Sequence, residues 1–210
     1  MDIQALVPAS ALRILDVGCS NGALGLALKA RVPDRFVCGI ERNPALCAEA
    51  LGRLDQVYQS DVTVFNWRLF ASSESFDCII FADVLEHLME PSLVLRESLA
   101  VLKHDGHVIV SVPNIRHVTA LWSIFIAGTF PRRERGLFDE THLRWFTFKD
   151  ARQLLEHAGL KITETRSSLR LLDKPGGRLN GFVDSCQWLK RVRVVNEFVS
   201  YQFFIKAQKP

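Results

Sequence analysis

The amino-acid sequence predicts an α/β fold: a doubly wound, mainly parallel sheet of seven strands with helices on both faces. Two observations carry that expectation. Short β-rich runs alternate with helix-patterned segments along most of the chain, and four of the runs end in a turn bearing Gly, Asp or Glu. Size and composition agree, because 210 residues at 48% apolar are enough for a full hydrophobic core and exclude wholesale disorder.

Residues 13–17 (Arg-Ile-Leu-Asp-Val) form the first strand, which ends in the turn Gly18-Cys19-Ser20-Asn21-Gly22. Residues 23–31 have helix-forming composition, and Pro33-Asp34 closes them. Residues 36–40 are the second strand, closed by Glu41-Arg42-Asn43. Asn43-Pro44 pairs a cap with a first-turn proline and opens a helix through Leu51. Residues 57–59 give a short third strand ending at Ser60-Asp61, and residues 76–81 a fourth that runs into Ala82-Asp83.

Residues 91–102 repeat apolar side chains at helical spacing until His104-Asp105-Gly106 stops them. A fifth strand, 107–112, follows, with Pro113-Asn114 at its end. Another helix begins near Phe148 and ends at Gly159. Residues 161–165 and 200–206 are the sixth and seventh strands. Two stretches, 115–146 and 170–198, fall outside the alternation and are rich in aromatic and basic residues. The first leaves from the carboxyl end of a strand, where ligands sit in open α/β sheets, so it is expected to cover a substrate. The organisation expected is one domain, 1–210, carrying these two inserted segments.

The start, Met1-Asp2-Ile3-Gln4, has an acid where a signal peptide has basic residues. The longest uncharged stretch, residues 118–131, is 14 residues, short of the ~20 that a membrane-spanning helix needs. A soluble, cytoplasmic protein is expected. Its five cysteines (19, 38, 47, 78 and 186) form no CxxC pair, which argues against a disulfide framework or zinc ribbon. From residue 161 onward ten Lys and Arg stand against four Asp and Glu, a local charge of +6 on a chain whose net charge is +3. That basic end suits an acidic substrate, a membrane surface or nucleic acid, or is simply a solvated face.

The first strand-turn-helix carries the strongest chemical signal. Gly18 and Gly22 let the backbone approach a ligand, and the helix N-terminus after them offers free N–H groups. Asp16 stands just before the turn, where it can face an ammonium group. Glu41, 23 residues after Gly18, can accept both hydroxyls of a ribose. Asp61 ends the third strand, giving three acids at successive strand ends.

These residues resemble a known family. The run Ile14-Leu15-Asp16-Val17-Gly18-Cys19-Ser20-Asn21-Gly22 is similar to motif I of the class I S-adenosylmethionine-dependent methyltransferases, and Phe81-Ala82-Asp83-Val84-Leu85-Glu86-His87-Leu88 to their segment after the fourth strand. Residues 136–147 (Gly-Leu-Phe-Asp-Glu-Thr-His-Leu-Arg-Trp-Phe-Thr) resemble a narrower subgroup of ubiquinone-pathway-like and glycan-cluster methyltransferases. The resemblance implies a Rossmann-like sheet whose last strand is antiparallel, and S-adenosylmethionine as methyl donor. It implies that Asp16 and the backbone of Gly18, Cys19, Ser20 and Gly22 hold the methionine end. Glu41, with Arg42 beside it, would hold the ribose, and Asp61 and Val62 the adenine edge. Ala82, Asp83 and His87 would line the sulfonium. Ser20 departs from the pattern, standing where a second glycine is usual.

Methyl transfer to oxygen also needs a group that removes a proton. His87, His142, Asp139 and His117 are the candidates, with His87, His142 and Asp139 preferred. A helix starting near Val84 would place Asp83 and His87 on one face beside Glu86, and with His142 these could hold Mg²⁺ or Mn²⁺. Metal-free relatives share the Glu-His pair, so no metal is expected. The acceptor expected is a small molecule or a glycan- or lipid-linked intermediate, taken at oxygen or, second, at nitrogen. Residues 118–130 would form an apolar lid with Arg132, Arg133 and Arg135 as a basic rim, or else a core helix. The 182–198 segment suits peripheral membrane contact or packing on its own sheet. No nucleic-acid recognition motif is present. Two other readings are a cofactor-binding protein without turnover and an NAD-dependent oxidoreductase. The latter would rest on Gly18-x-Ser20-x-x-Ala23 with Glu41 as a degenerate dinucleotide fingerprint.

Overall fold

Seven strands, β1 (Arg13–Val17), β2 (Phe36–Glu41), β3 (Gln56–Gln59), β4 (Phe76–Ala82), β5 (Leu102–Pro113), β6 (Lys161–Leu169) and β7 (Ser200–Gln208), make one sheet in the order β3-β2-β1-β4-β5-β7-β6. The computed structural model describes residues 3–71, 75–169 and 197–210. The second inserted segment, as far as residue 196, and Cys186 lie outside them. Strands β1 to β5 pair in parallel, whereas β7 runs antiparallel to both β5 and β6. The helices are α1 (Ala23–Arg31), α2 (Pro44–Leu51), α3 (Trp67–Ala71), α4 (Pro91–Ser98), α5 (Val118–Leu121) and α6 (Phe148–His157).

The period-2 geometry of the strands divides the core between the two faces of the sheet. Leu15, Val17, Ile79, Phe81, Val108 and Val110 face one hydrophobic cluster, while Ile14, Cys78, Ile80 and Ile109 face the other. Both faces are covered, which is why these strands read as nearly continuous apolar runs. Asp16 lies on the face of Ile14 and Ile80, a carboxylate in an otherwise apolar row. The order of strands reverses between β1 and β4, so the crevice for a ligand opens at their carboxyl ends.

Local signals behave as expected in several places. Asn43 accepts a hydrogen bond from Ala45 N at 2.9 Å and caps α2, with Pro44 in the first turn. Thr147 and Asp150 form a reciprocal capping box that starts α6. Among the described residues, the cysteines at 19, 38, 47 and 78 are buried free thiols, and no helix is long and apolar enough to cross a membrane.

Four expectations change. No helix starts at Val84: only a three-residue 3-10 turn, Leu85–His87, forms before Leu88 becomes extended. Eight residues separate the end of β4 from Pro91, and a residue before proline is held out of the helical region, so a full helix has no room. Asp83 has φ +56°, so it is not a helical neighbour of His87. The helix from Pro91 ends at Ser98 and passes through a 3-10 turn (Leu99–Val101) directly into β5. His104-Asp105-Gly106 is therefore a bulge inside β5, where pairing with β4 jumps from Phe76↔Leu102 to Cys78↔His107. The short helix α3 had no strong periodic signal, and Trp67 and Phe70 anchor it in the core. The sixth and seventh strands reach beyond the 161–165 and 200–206 expected, because each pairs along its length with the other.

Candidate active site

Two cavities open at the carboxyl ends of the parallel strands. The smaller, about 590 Å³, is bordered by Gly18, Glu41, Arg42, Asp61 and Val62 and roofed by Leu93 and Leu143. The larger, about 1630 Å³, is bordered by Val118, Trp122, Arg133, Arg135, Tyr201 and Gln202. Asp83 and His87 line both, so the two cavities meet at the turn after β4.

The β1 turn builds one wall of the smaller cavity. Gly18 has φ +69°, and a Cβ there would stand 2.6 Å from Val84 Cγ2, so only glycine lets this backbone close on the β4 turn. Ser20 also adopts positive φ, +50°, at a cost to a residue with a Cβ of about 1 kcal/mol. Its N–H donates to Glu41 Oε2 at 3.0 Å, and Asn43 N donates to Glu41 Oε1 at 2.8 Å. Glu41 is thus oriented from both sides at the end of β2. Asp61 accepts from Thr63 N and Oγ1 through Oδ1, and these bonds hold its carboxyl below the usual range.

Asp16 is different. It is 1% exposed, and neither carboxylate oxygen has a hydrogen-bond partner among the described residues. Burial, with Glu41 adding repulsion, raises its pKa to about 7. A buried carboxylate without a partner is expensive unless a cationic or donor group completes it. Asp16, Cys19, Ser20, Gly22 and Ala82 do not border either cavity. Cys19 packs against β2, where a Cβ on Gly39 would lie 2.4 Å from its sulfur.

At the junction, Asp83 is fixed by β5 and β7. Its backbone N donates to Ser111 O and Oγ, while Ser111 Oγ (2.9 Å) and Gln202 Nε2 (2.5 Å) donate to Asp83 Oδ1. Neither Ser111 nor Gln202 was legible as a site residue, because only strand register brings them beside Asp83. The His87 and His142 rings meet edge to face, with centroids 4.8 Å apart. His142 is nearly buried, and its Nδ1 has no partner among the described residues. Burial and the nearby His87 lower its pKa.

Glu86, absent from the preferred site residues, is 1% exposed and borders the larger cavity. Its Oε2 lacks a partner among the described residues, and burial, then Asp83, raises its pKa to about 8. One ligand atom each from Glu86, His87 and His142 lies within 4.8 Å of the others, a donor set whose composition suits a divalent cation. Asp83 is not part of that group.

The inserted segment reaches the site in pieces. Leu143 N (2.8 Å) and Arg144 N (3.0 Å) donate to the Glu86 carbonyl, and the Arg144 guanidinium donates to Met89 O, so residues 141–144 are clamped on the β4 turn. Residues 118–126 form α5 and a π-helical turn, with Trp122, Phe125 and Ile126 largely exposed; Val118 and Trp122 border the larger cavity. This segment is therefore a cavity wall rather than a core helix. His117 stands apart: it is fully buried, its Nδ1 accepts from Thr119 N to cap α5, and its ring packs on Tyr201. Its ring serves the fold and does not border the cavities.

A family model described as a methyltransferase domain matches residues 2–165. A ubiquinone biosynthesis O-methyltransferase from Bartonella quintana is 27% identical over 191 residues, covering 88% of this chain and 70% of that protein. One of the same description from Xanthomonas campestris is 32% identical over 129 residues, 60% of this chain and 52% of that one. Among solved structures, a possible histamine N-methyltransferase from Thermotoga maritima superposes with TM-score 0.69 at 16% identity, covering 99% of this chain and 86% of that chain. The magnesium protoporphyrin IX methyltransferase of Synechocystis, with S-adenosylhomocysteine bound, has TM-score 0.61 at 17% identity over 95% and 74% of the respective chains.

Proposed function

This chain belongs to the family of class I S-adenosylmethionine-dependent methyltransferases, and on that premise we propose that it methylates a hydroxyl oxygen of a small-molecule or glycan- or lipid-linked acceptor held in the larger cavity. Nitrogen is the second acceptor atom. The observation that carries the reading is the shared wall: Asp83 and His87 border both cavities, so a donor in one and an acceptor in the other would meet there. The oxygen preference is supported by relatives named as O-methyltransferases. On this reading residues 1–210 act as one methyltransferase domain, with residues 115–146 covering the acceptor.

The chain's residues fit the donor. The unpartnered Asp16 carboxylate suits the ammonium of the methionine end, and the Gly18 backbone borders the smaller cavity. Glu41, already oriented by Ser20 and Asn43, suits the ribose hydroxyls, and Asp61 with Val62 the adenine edge. When bound, S-adenosylmethionine supplies an electrophilic methyl group whose bond to sulfur breaks with the electron pair left on sulfur. The protein's main work is to hold the acceptor oxygen in line with that methyl, since alignment can supply much of the rate. His87 and His142, whose rings meet at the edge of the larger cavity that Asp139 also borders, are placed to take the hydroxyl proton.

Calorimetric titration with S-adenosylhomocysteine, with NAD as control, tests the donor. Micromolar binding lost in Asp16→Ala or Glu41→Ala and absent for NAD is expected. No binding by folded protein would overturn the reading. Candidate hydroxylated acceptors are then screened for methyl incorporation, with and without EDTA.

A further inference from the structure

We propose that Thr141 is a positioning residue: held by Asp139, it fixes His87 as the Nδ1–H tautomer and leaves Nε2 bare, in a side chain that borders both cavities. The proposal rests on the methyltransferase reading for what that nitrogen is for, but not for the tautomer itself.

The argument is an inventory of protons. Asp139 Oδ1 accepts from Thr141 N at 2.9 Å and from Thr141 Oγ1 at 2.6 Å. Two donors converge on that one oxygen, as they do on a carboxylate, whose ordinary range lies well below neutral pH. Asp139 is therefore ionised at neutral pH and can only accept. A threonine hydroxyl has one proton, and here it is committed to Asp139. The remaining capacity of Thr141 Oγ1 is to accept, and it stands 3.0 Å from His87 Nδ1. The Thr141 carbonyl, which also can only accept, lies 3.2 Å from the same nitrogen. Both contacts require a proton on Nδ1. In a neutral imidazole the other nitrogen, Nε2, then carries the lone pair.

This is the tautomer that a histidine side chain free in water favours less, so the surrounding structure has to impose it. The clamp that does so is made of four hydrogen bonds: Leu143 N and Arg144 N donate to the Glu86 carbonyl, and the Arg144 guanidinium donates twice to Met89 O, on either side of His87. Thr141 and His87 are 54 residues apart, so the inserted segment that walls the acceptor cavity also sets the state of the histidine. Asp139 then acts through Thr141 rather than on the acceptor. A bare Nε2 can take the acceptor's hydroxyl proton while the oxygen forms its bond to the methyl carbon, the carbon–sulfur bond breaks and its electron pair stays on sulfur.

The test is long-range ¹H–¹⁵N correlation of the histidine rings in the full-length protein at pH 8 with EDTA. There are six histidines, and His87→Gln identifies the signals of His87. The expected result is a protonated Nδ1 and an unprotonated Nε2 at His87 in the wild-type protein. Thr141→Ser should keep that pattern, and Thr141→Val, which retains only the carbonyl acceptor, should raise the share of Nε2–H, with backbone amide spectra showing both variants folded. With an acceptor in hand, Thr141→Val should lower kcat at least tenfold, with Thr141→Ser restoring most of it. A wild-type His87 protonated at Nε2 overturns the proposal without any variant having to fold, and an unchanged tautomer in folded Thr141→Val overturns it too. Failure to bind S-adenosylhomocysteine would instead sink the functional reading and leave the tautomer result standing.

Discussion

Gly18 and Val84 face each other across the crevice between β1 and β4, so closely that a Cβ on Gly18 would stand 2.6 Å from Val84 Cγ2. Two separate costs follow for Gly18→Ala: the left-handed φ of +69°, about 1–2 kcal/mol, and the clash. Gly18→Ala should destabilise the protein by more than Val84→Ala. The double variant should recover the clash but not the cost of φ. A double-mutant cycle by chemical denaturation checks this, and strict additivity would refute it.

Asp16→Asn should stabilise the ligand-free protein at pH 8 while weakening S-adenosylhomocysteine binding at least tenfold. The raised pKa of about 7 gives the sign. Between its unfolded value near 3.8 and 7 the folded state binds the extra proton, so the Asp16 contribution to stability grows as pH falls from 7, by at most about 1.4 kcal/mol per pH unit. Melting temperature against pH, wild type minus Asp16→Asn, shows whether that slope exists. Because an ammonium group favours the ionised carboxylate, S-adenosylhomocysteine affinity should rise from pH 6 to pH 8 in the wild type and lose that dependence in Asp16→Asn.

Ser20→Gly should raise stability by up to about 1 kcal/mol, since serine holds φ +50° here and glycine does so freely. The backbone N–H that orients Glu41 is kept, so S-adenosylhomocysteine affinity should change less than threefold. Urea denaturation and calorimetry together decide it.

His117→Ala should cost about 1–3 kcal/mol, through the lost cap of α5 and the cavity left against Tyr201. His117→Asn keeps a capping acceptor and should cost less. Neither should abolish S-adenosylhomocysteine binding. Loss of that binding in a folded His117 variant would move this residue back into the site.

The legible parts of this protein were those with local causes. Asn43-Pro44 announces α2 because a cap and a first-turn proline act within four residues. The strands β1, β2 and β4 announce themselves because burial on both faces demands continuous apolar runs. The helix imagined after Val84 failed for want of room before Pro91, and α3 was missed because its support, the packing of Trp67 and Phe70, is tertiary. In the site, Asp16, Glu41 and Asp61 stood out as acids at strand ends. Glu86 is not legible as a site residue, since nothing local says that its carboxyl is buried at the edge of a cavity.

The sequence by itself determined the alternating α/β plan, the glycine turn at Gly18 and the acids at the carboxyl ends of β1, β2 and β3, because hydrophobic period and turn chemistry are written residue by residue. Only the tertiary structure decided which distant groups meet. Strand register set Ser111 and Gln202 on Asp83, and the clamp of residues 141–144 on Glu86 and Met89 set Thr141 on His87. Such pairings depend on chain reversals of tens of residues, and hydrogen-bond geometry acts over about 3 Å, a scale that sequence spacing does not specify.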